Sequence, residues 1–530
     1  MGDYKQLTKN TIVFAIGSFS VKAIQFFLMP LITLSMTTED YGTAESLMSL
    51  TELIIPLLTL GLQDAVFRFT MRKDVNSKSV LSNTMGILTL GFIMVLAGSL
   101  LAAIKVDFKL CILFAFLYMC VALSNVWGQF VRGTGKVITF AISGITQALM
   151  LAASNAIFVY WLKWGAYGYL LSLIAAYMSS LLILFFVGGV FKNINPKTLD
   201  KQLFKEMVQY ALPLMPNSLC WWFIQVVNRY IIIYFCGSGD SGLYVASSKI
   251  ATLINIFGTI FLQAWTISTV KSIDDKDKSE FNSSIFKYYG AFLHIAATCL
   301  LMILPFVSKF LLQGEFADSW RYSSMAIFTA IISCYCSFFG AYYGAAMRTK
   351  MVFVSTLAGA LTNSIMCLIL VYFMGIKGAL IASLAGYLIM TTIRIVDTQK
   401  YSHLRANWVK EIILLLLIAF QAVFILESER IKSNWVYYGV QAVIILVVLI
   451  FHAKDVVALC KQMIAILKSL KRKTVATAQE GVQSAQDSTD NENTIDMSMQ
   501  DVQNSEDKEI VSEQDMSNDQ EKNQSEDETK

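Results

Sequence analysis

Between Asn10 and His452 the chain passes through fourteen apolar stretches, each about 20 residues long and separated by short charged breaks. At a rise of about 1.5 Å per residue, a helix of about 20 apolar residues crosses the roughly 30 Å hydrocarbon core of a bilayer. No water-soluble fold has the interior to hide fourteen such helices. The chain therefore reads as an all-α polytopic membrane protein with about 14 transmembrane helices. The stretches fall near residues 11–34, 43–66, 80–104, 110–131, 138–161, 166–190, 206–236, 241–269, 285–311, 320–346, 352–374, 377–396, 409–427 and 434–452. The first is too long for the apolar core of a cleavable signal and no small-residue cleavage pattern follows it, so it reads as a span.

Charge sets the expected orientation. The N-terminal segment, the even-numbered gaps and the segment after the last span hold 28 Lys and Arg, against eight in the odd-numbered gaps. Positive residues favour the cytoplasmic side, so both termini are expected there, in a multi-pass protein of the plasma membrane. The tail after Lys473 carries a net charge of −13 and the rest of the chain +17. Residues 453–473 place Val456, Leu459, Met463 and Ile466 on one helical face with lysines elsewhere, which suits a helix lying on the anionic inner leaflet. Residues 474–530 are rich in Gln, Ser, Asn, Asp and Glu and are expected to be disordered.

The chain resembles itself at an offset of 200 residues. Asp40, Gly42, Leu53, Ile54, Thr59, Leu62 and Gln63 coincide with Asp240, Gly242, Leu253, Ile254, Thr259, Leu262 and Gln263, seven identities in 24 positions. Each segment forms the second helix of a six-helix set, so the two sets share one orientation and a substrate site is expected between them. The expected organisation is an N-terminal lobe over 1–201 and a C-terminal lobe over 202–400. Spans 13 and 14 follow over 401–452, then the interfacial helix over 453–473 and the acidic tail over 474–530.

Several functions are disfavoured, with an integral-membrane glycan polymerase or glycosyltransferase and a multidrug or metabolite antiporter kept as alternatives. No gap is long enough to fold as a domain, so an enzyme acting on a soluble substrate is not expected. An integral-membrane glycan polymerase or glycosyltransferase would need a sizeable external loop, which is also missing. Gly133-Thr134-Gly135-Lys136-Val137 lacks the spacing and the hydroxyl of a phosphate-binding loop. The nine cysteines lie mostly in apolar stretches without metal or redox spacing, and the three histidines are scattered. No metal, cofactor or nucleic-acid partner is expected.

What remains is a set of polar residues inside the spans. Charge at bilayer depth costs at least about 2.5–3.5 kcal/mol, which favours facing a bundle interior or a wet cavity. Lys22 with Gln25 lies in span 1, and Asn217, Trp221, Gln225 and Arg229 share one face of span 7 at four-residue spacing. Lys249, Asn255 and Gln263 follow the same rhythm on span 8. Span 2 carries Glu52 in its outer half, Glu45 nearer the interface, and Asp64 with Arg68 at its cytoplasmic end. Lys22, Gln25, Asn217, Gln225, Arg229, Lys249, Asn255 and Gln263 are the expected substrate-cavity residues. Glu52 is the candidate for ion coupling, and Asp64 with Arg68 a gating or structural pair. Three cations against one deep carboxylate point to an anionic guest such as phosphate or pyrophosphate. A multidrug or metabolite antiporter would be expected to place carboxylates there instead.

A series of short motifs runs along the chain: Asn10-Thr11, Glu39-Asp40-Tyr41-Gly42, Leu60-Gly61-Leu62-Gln63-Asp64-Ala65 and Arg68-Phe69 in the first half. In the second half they are Tyr210-Ala211-Leu212-Pro213-Leu214, Asn228-Arg229-Tyr230, Gly242-Leu243-Tyr244 and Gln263-Ala264-Trp265. In this order, over roughly residues 6–450, they resemble the polysaccharide (O-antigen, capsule or teichoic-type) flippases of the MOP superfamily. The resemblance implies a polyprenyl-pyrophosphate-linked oligosaccharide as substrate, moved from the inner to the outer leaflet for polysaccharide biosynthesis. It also implies membrane lipids and a glycan polymerase or other assembly proteins as partners, with Lys22, Arg229 and Lys249 placed to meet the pyrophosphate. The long acidic tail departs from the family pattern.

Overall fold

The computed structural model describes residues 21–72, 74–195, 198–272, 278–346, 348–428, 435–455 and 457. It divides into two units, Met1–His452 and Ala453–Lys530, and the helical body is the first. The acidic tail, nearly all of segment 453–473 and the first half of span 1 lie outside the described residues.

In the first half of the chain, α1 is Val21–Ser35, α2 Thr38–Leu58, α3 Leu62–Thr70, α4 Ser77–Ala102, α5 Phe108–Gly133, α6 Val137–Trp161 and α7 Gly165–Phe186. The second half begins with α8 Lys201–Ala211, α9 Met215–Gln225, α10 Val227–Cys236, α11 Ser238–Ser272 and α12 Lys278–Leu311. It continues with α13 Trp320–Ala345, α14 Thr349–Met374, α15 Ile376–Ser402, α16 Trp408–Leu426 and α17 Trp435–Asp455. Polar side chains start several of these helices by taking up free backbone N–H groups. Thr37 accepts from Asp40, and Asp107 accepts from Lys109 and Leu110. Among the described residues eleven helices are long and apolar enough to span a membrane, or thirteen when two bent pairs are each taken as one. The expected count of about 14 thus stands at 11 to 13, with α1 described only in part.

Two expected spans take a different form. The stretch 206–236 is three helices rather than one. Leu203, Met207 and Ala211 are buried along one side of α8 while Lys201, Gln202, Lys205 and Gln209 are exposed on the other, so it is an amphipathic segment. Pro213 has no N–H to continue that helix, and Pro216 sits in the first turn of α9, where a missing donor is harmless. Between α9 and α10 the axis bends by 42°. There Asn363 of α14 donates to the Phe223 carbonyl (3.1 Å) and to Asn228 Oδ1 (3.0 Å). A side chain inserted into a broken helical ladder is a common cause of such a kink.

The stretch 43–66 is the second case, broken into α2 and α3 with a 64° bend. Pro56 removes a donor from the last turns of α2, and Leu60 and Gly61 then adopt left-handed backbone at φ 53° and 70°. Gly61 suits such a position, and a Cβ added there would lie 3.2 Å from the Ala211 carbonyl oxygen of α8.

The 200-residue repeat is visible in the packing. At the face carrying Thr37 and Ser238, α2 crosses α11 at Gly42 and Gly242. A Cβ added to Gly42 would lie 2.8 Å from the Gly242 nitrogen and closer still to the Ser238 carbonyl oxygen. One added to Gly242 would lie 3.2 Å from the Gly42 nitrogen and closer still to the Thr38 carbonyl oxygen. Each contact is the other shifted by 200 residues, as a two-fold relation between the helices requires. Small residues continue both seams, with Ser46 on α2 and Ala246 on α11 buried.

Candidate functional site

Below this crossing a cavity of about 360 Å³ is lined by α1, α2, α6, α7 and α11. Lys22, Gln25, Glu45, Glu52, Lys249 and Asn255 all reach it. A second cavity of about 580 Å³ lies among first-half helices and shares Lys22, Gln25, Gln147 and Tyr177 with it. A third, of about 230 Å³, lies among second-half helices and includes Trp221, Gln225, Asn255 and Thr259. Asn255 borders both the first and the third. A continuous set of polar walls thus runs between the two halves of the chain.

The charged centre is Glu45. Its side chain sits beside both expected cations, 3.5 Å from Arg229 and 3.2 Å from Lys249. Tyr169 donates to its Oε1 at 3.0 Å and Tyr41 at 3.3 Å. Arg229 also donates to Ser49 Oγ, and the neighbouring Tyr230 and Trp222 donate to the carbonyls of Ser46 and Ser49 at 2.6 and 2.8 Å. The near two-fold relation explains the meeting, because positions 45 and 249 face each other across the crossing while their repeat partners, Val245 and Ser49, carry no charge. Glu45 is 7% exposed, and a carboxylate buried to that extent is held by two cations. Sequence spacing offered one signal for it, since Glu45, Ser49 and Glu52 share a face of α2.

Lys22 and Glu52 stand apart from this cluster. Both are exposed on the cavity wall, and neither has an ionic partner among the described residues. The charges around the central cavity are thus three cations and two carboxylates, one of the latter already engaged.

The other expected positions divide. The kink after Gln225 splits the span 7 stripe, so Trp221 and Gln225 face the third cavity while Arg229 turns to Glu45. Asn217 is half-buried and borders none of the three cavities, and its Oδ1 is buried without a partner among the described residues. Asn255 accepts from Ser333 at 3.2 Å. The side chain of Gln263 lies outside the described residues. Asp64 and Arg68 do not pair: the bend at Gly61 leaves Asp64 lining the 580 Å³ cavity, and Arg68 stacks 5.2 Å above the Tyr210 ring of α8.

Aromatic and hydrogen-bonded contacts close the end of the cavity nearest the Gly42–Gly242 crossing. Tyr41 packs edge-on against Tyr169 and Phe316, with ring centres 5.9 and 5.7 Å apart. Glu315 accepts from the Thr38 N–H at 2.9 Å, tying the start of α2 to the segment before α13.

The chain is a kinked helical bundle around polar cavities, and solved structures show the same fold. An inward-closed lipid II flippase MurJ aligns with a TM-score of 0.60 at 14% identity, over 85% of this chain and all (100%) of its own. An inward-facing MATE multidrug transporter of the MOP superfamily aligns at 0.59 and 13%, over 73% and 97%. A MOP transporter from Pyrococcus furiosus, described as having a binding pocket of reversed polarity, aligns at 0.54 and 13%, over 75% and 95%. No curated protein sequence matches the chain. The family model for polysaccharide biosynthesis proteins matches residues 7–271, and the chain belongs to that family.

Proposed function

We propose that this protein is a flippase carrying a polyprenyl-pyrophosphate-linked oligosaccharide from the inner to the outer leaflet of the plasma membrane for polysaccharide biosynthesis, with both termini in the cytoplasm. The observation that carries the reading is Lys22, an unpaired cation among the described residues, on a cavity whose far wall holds Lys249 and Glu45. A diphosphate entering this cavity meets Lys22 first and then competes with Glu45 for Lys249 and Arg229, point charge and forked donor together. The polyprenyl chain stays in lipid while the sugar and phosphate cross in the polar interior. Gln25, Gln225 and Asn255 supply hydrogen bonds to the glycan along the walls.

On this reading the Gly42–Gly242 crossing faces outward and is closed, and the protein loads from the cytoplasmic side. The two sets of six spans act as rocking lobes, and separation of Gly42 from Gly242 opens the outer side. An inside-negative potential favours outward movement of an anion by about 2.3 kcal/mol per charge per 100 mV. Glu52, open to the cavity, is the carboxylate placed to take a coupling ion. A glycan polymerase in the same membrane would consume the product.

The test is flipping of a fluorescent polyprenyl-diphosphate oligosaccharide by the full-length protein in vesicles. Losing one phosphate contact removes about 1.5 kcal/mol, so Lys22→Gln is expected to slow transport at limiting substrate by about tenfold. An unchanged rate in Lys22→Gln refutes the cavity assignment.

A further inference from the structure

The three histidines are far apart in sequence, yet two of them meet in the second half of the bundle. His294 on α12 is fully buried, and its Nδ1 lies 3.2 Å from Nε2 of His452 on α17. Nδ1 of His452 lies 3.4 Å from Lys410 Nζ on α16. On the other side, His294 Nε2 lies 3.1 Å from the Tyr335 hydroxyl on α13 and 3.8 Å from Glu411 Oε2 on α16. Tyr335 itself donates to Glu411 Oε2 at 3.1 Å. Lys410 and Glu411 both line a polar cavity of about 660 Å³ at the N-terminal ends of α12 and α16.

The chemistry of these groups fixes the direction of every bond. A charged lysine only donates, so His452 Nδ1 accepts and its proton sits on Nε2. That proton points at His294 Nδ1, which places the His294 proton on Nε2, toward Tyr335 and Glu411. Lys410, His452, His294, Tyr335 and Glu411 therefore form one head-to-tail chain running from an ammonium to a carboxylate. It ties α16 and α17 to α12 and α13. The arrangement has no place for an extra proton on the rings: one added to His452 Nδ1 faces the Lys410 ammonium, and one added to His294 Nδ1 faces the His452 N–H.

We infer that the His294–His452 pair is a proton-binding site whose occupation loosens α16 and α17 from the rest of the bundle. A hydronium ion in the cavity lined by Lys410 and Glu411 gives up its proton, an O–H bond breaks and an imidazole N–H bond forms, leaving water and an imidazolium. Lys410 then swings away and its contact with His452 is lost. The other titratable groups facing the pair are Tyr335 on α13, Glu411 on α16 and Tyr289 on α12, whose ring packs against Tyr335 at 6.3 Å. Asp455 follows His452 by three residues on α17. The inference does not depend on which substrate the central cavity takes.

The chain holds only 3 histidines, so ¹⁵N-histidine labelling gives a directly readable spectrum. In the full-length protein in lipid bilayers, magic-angle NMR near neutral pH is expected to show two rings protonated at Nε2. On acidification the pair should take up one proton, and His452→Gln should move the remaining ring's titration. Thermal stability should show a matching step in which the protonated-to-neutral ratio changes tenfold per pH unit, absent in His294→Gln. Lys410→Met, which removes the opposing ammonium, should move the midpoint, and it serves if His294→Gln fails to fold. Rings that stay neutral throughout, or that are indifferent to Lys410→Met, overturn the inference.

Discussion

The crossing of α2 and α11 gives the sharpest test of how this bundle closes. A methyl group at position 42 would stand 2.8 Å from the Gly242 nitrogen, against a comfortable separation of about 3.5 Å, and closer to the Ser238 carbonyl oxygen. Both obstacles are backbone atoms, which no rotamer change can move aside. Gly42→Ala must therefore push the helices apart by about 1 Å at the crossing, and overpacking of this kind costs about 1–3 kcal/mol. Gly242→Ala should do the same from the other side. Because one separation admits both methyls, the double variant should cost clearly less than the sum of the single variants. Thermal unfolding in nanodiscs measures the cost. Labelling of Met48→Cys by a membrane-impermeant maleimide added outside measures the opening, in a background without the exposed Cys236 and Cys299. Gly98→Ala is the control, since nothing stands within 4 Å of its new methyl. Unchanged unfolding and labelling in Gly42→Ala, or strict additivity in the double variant, would refute the argument.

Two further predictions follow from the polar interior. Glu45→Gln keeps the side chain's shape but leaves Arg229 and Lys249 without their carboxylate, which should lower stability by up to about 3 kcal/mol. The same change should tighten binding of inorganic diphosphate about tenfold or more in a calorimetric titration, since the competitor for both cations is gone. Asn363→Leu strips hydrogen bonds from the Phe223 carbonyl and Asn228 Oδ1 and should destabilise the protein by about 1–3 kcal/mol in a thermal melt, whereas Thr362→Leu one residue away, half-buried and bonded only within its own helix, should cost less.

Particular residues show what was legible in the sequence and where that stopped. The polarity of Lys22, Gln25, Lys249 and Asn255 within apolar stretches marked them as cavity residues, and all four line the central cavity. Asp64 and Arg68 sit at four-residue spacing on one helix, yet the left-handed turn at Leu60 and Gly61 aims α3 so that Arg68 meets an aromatic ring instead. The span 7 stripe failed for the same kind of reason. Its regular spacing assumed a straight helix, and the kink is set by Asn363, 140 residues away from the carbonyl it caps.

Sequence alone determined the membrane-spanning character, the approximate span limits and the repeat, because apolar length and helical rise are local properties that need no knowledge of neighbours. Only the tertiary structure decided that Glu45 holds Arg229 and Lys249, and that His294 meets His452 across 158 positions. Which groups pair depends on where helix axes bend and which faces are pressed together. In a bundle of similar apolar helices those choices rest on small contacts such as Gly42 on Gly242, whose effect appears only once both surfaces are in place.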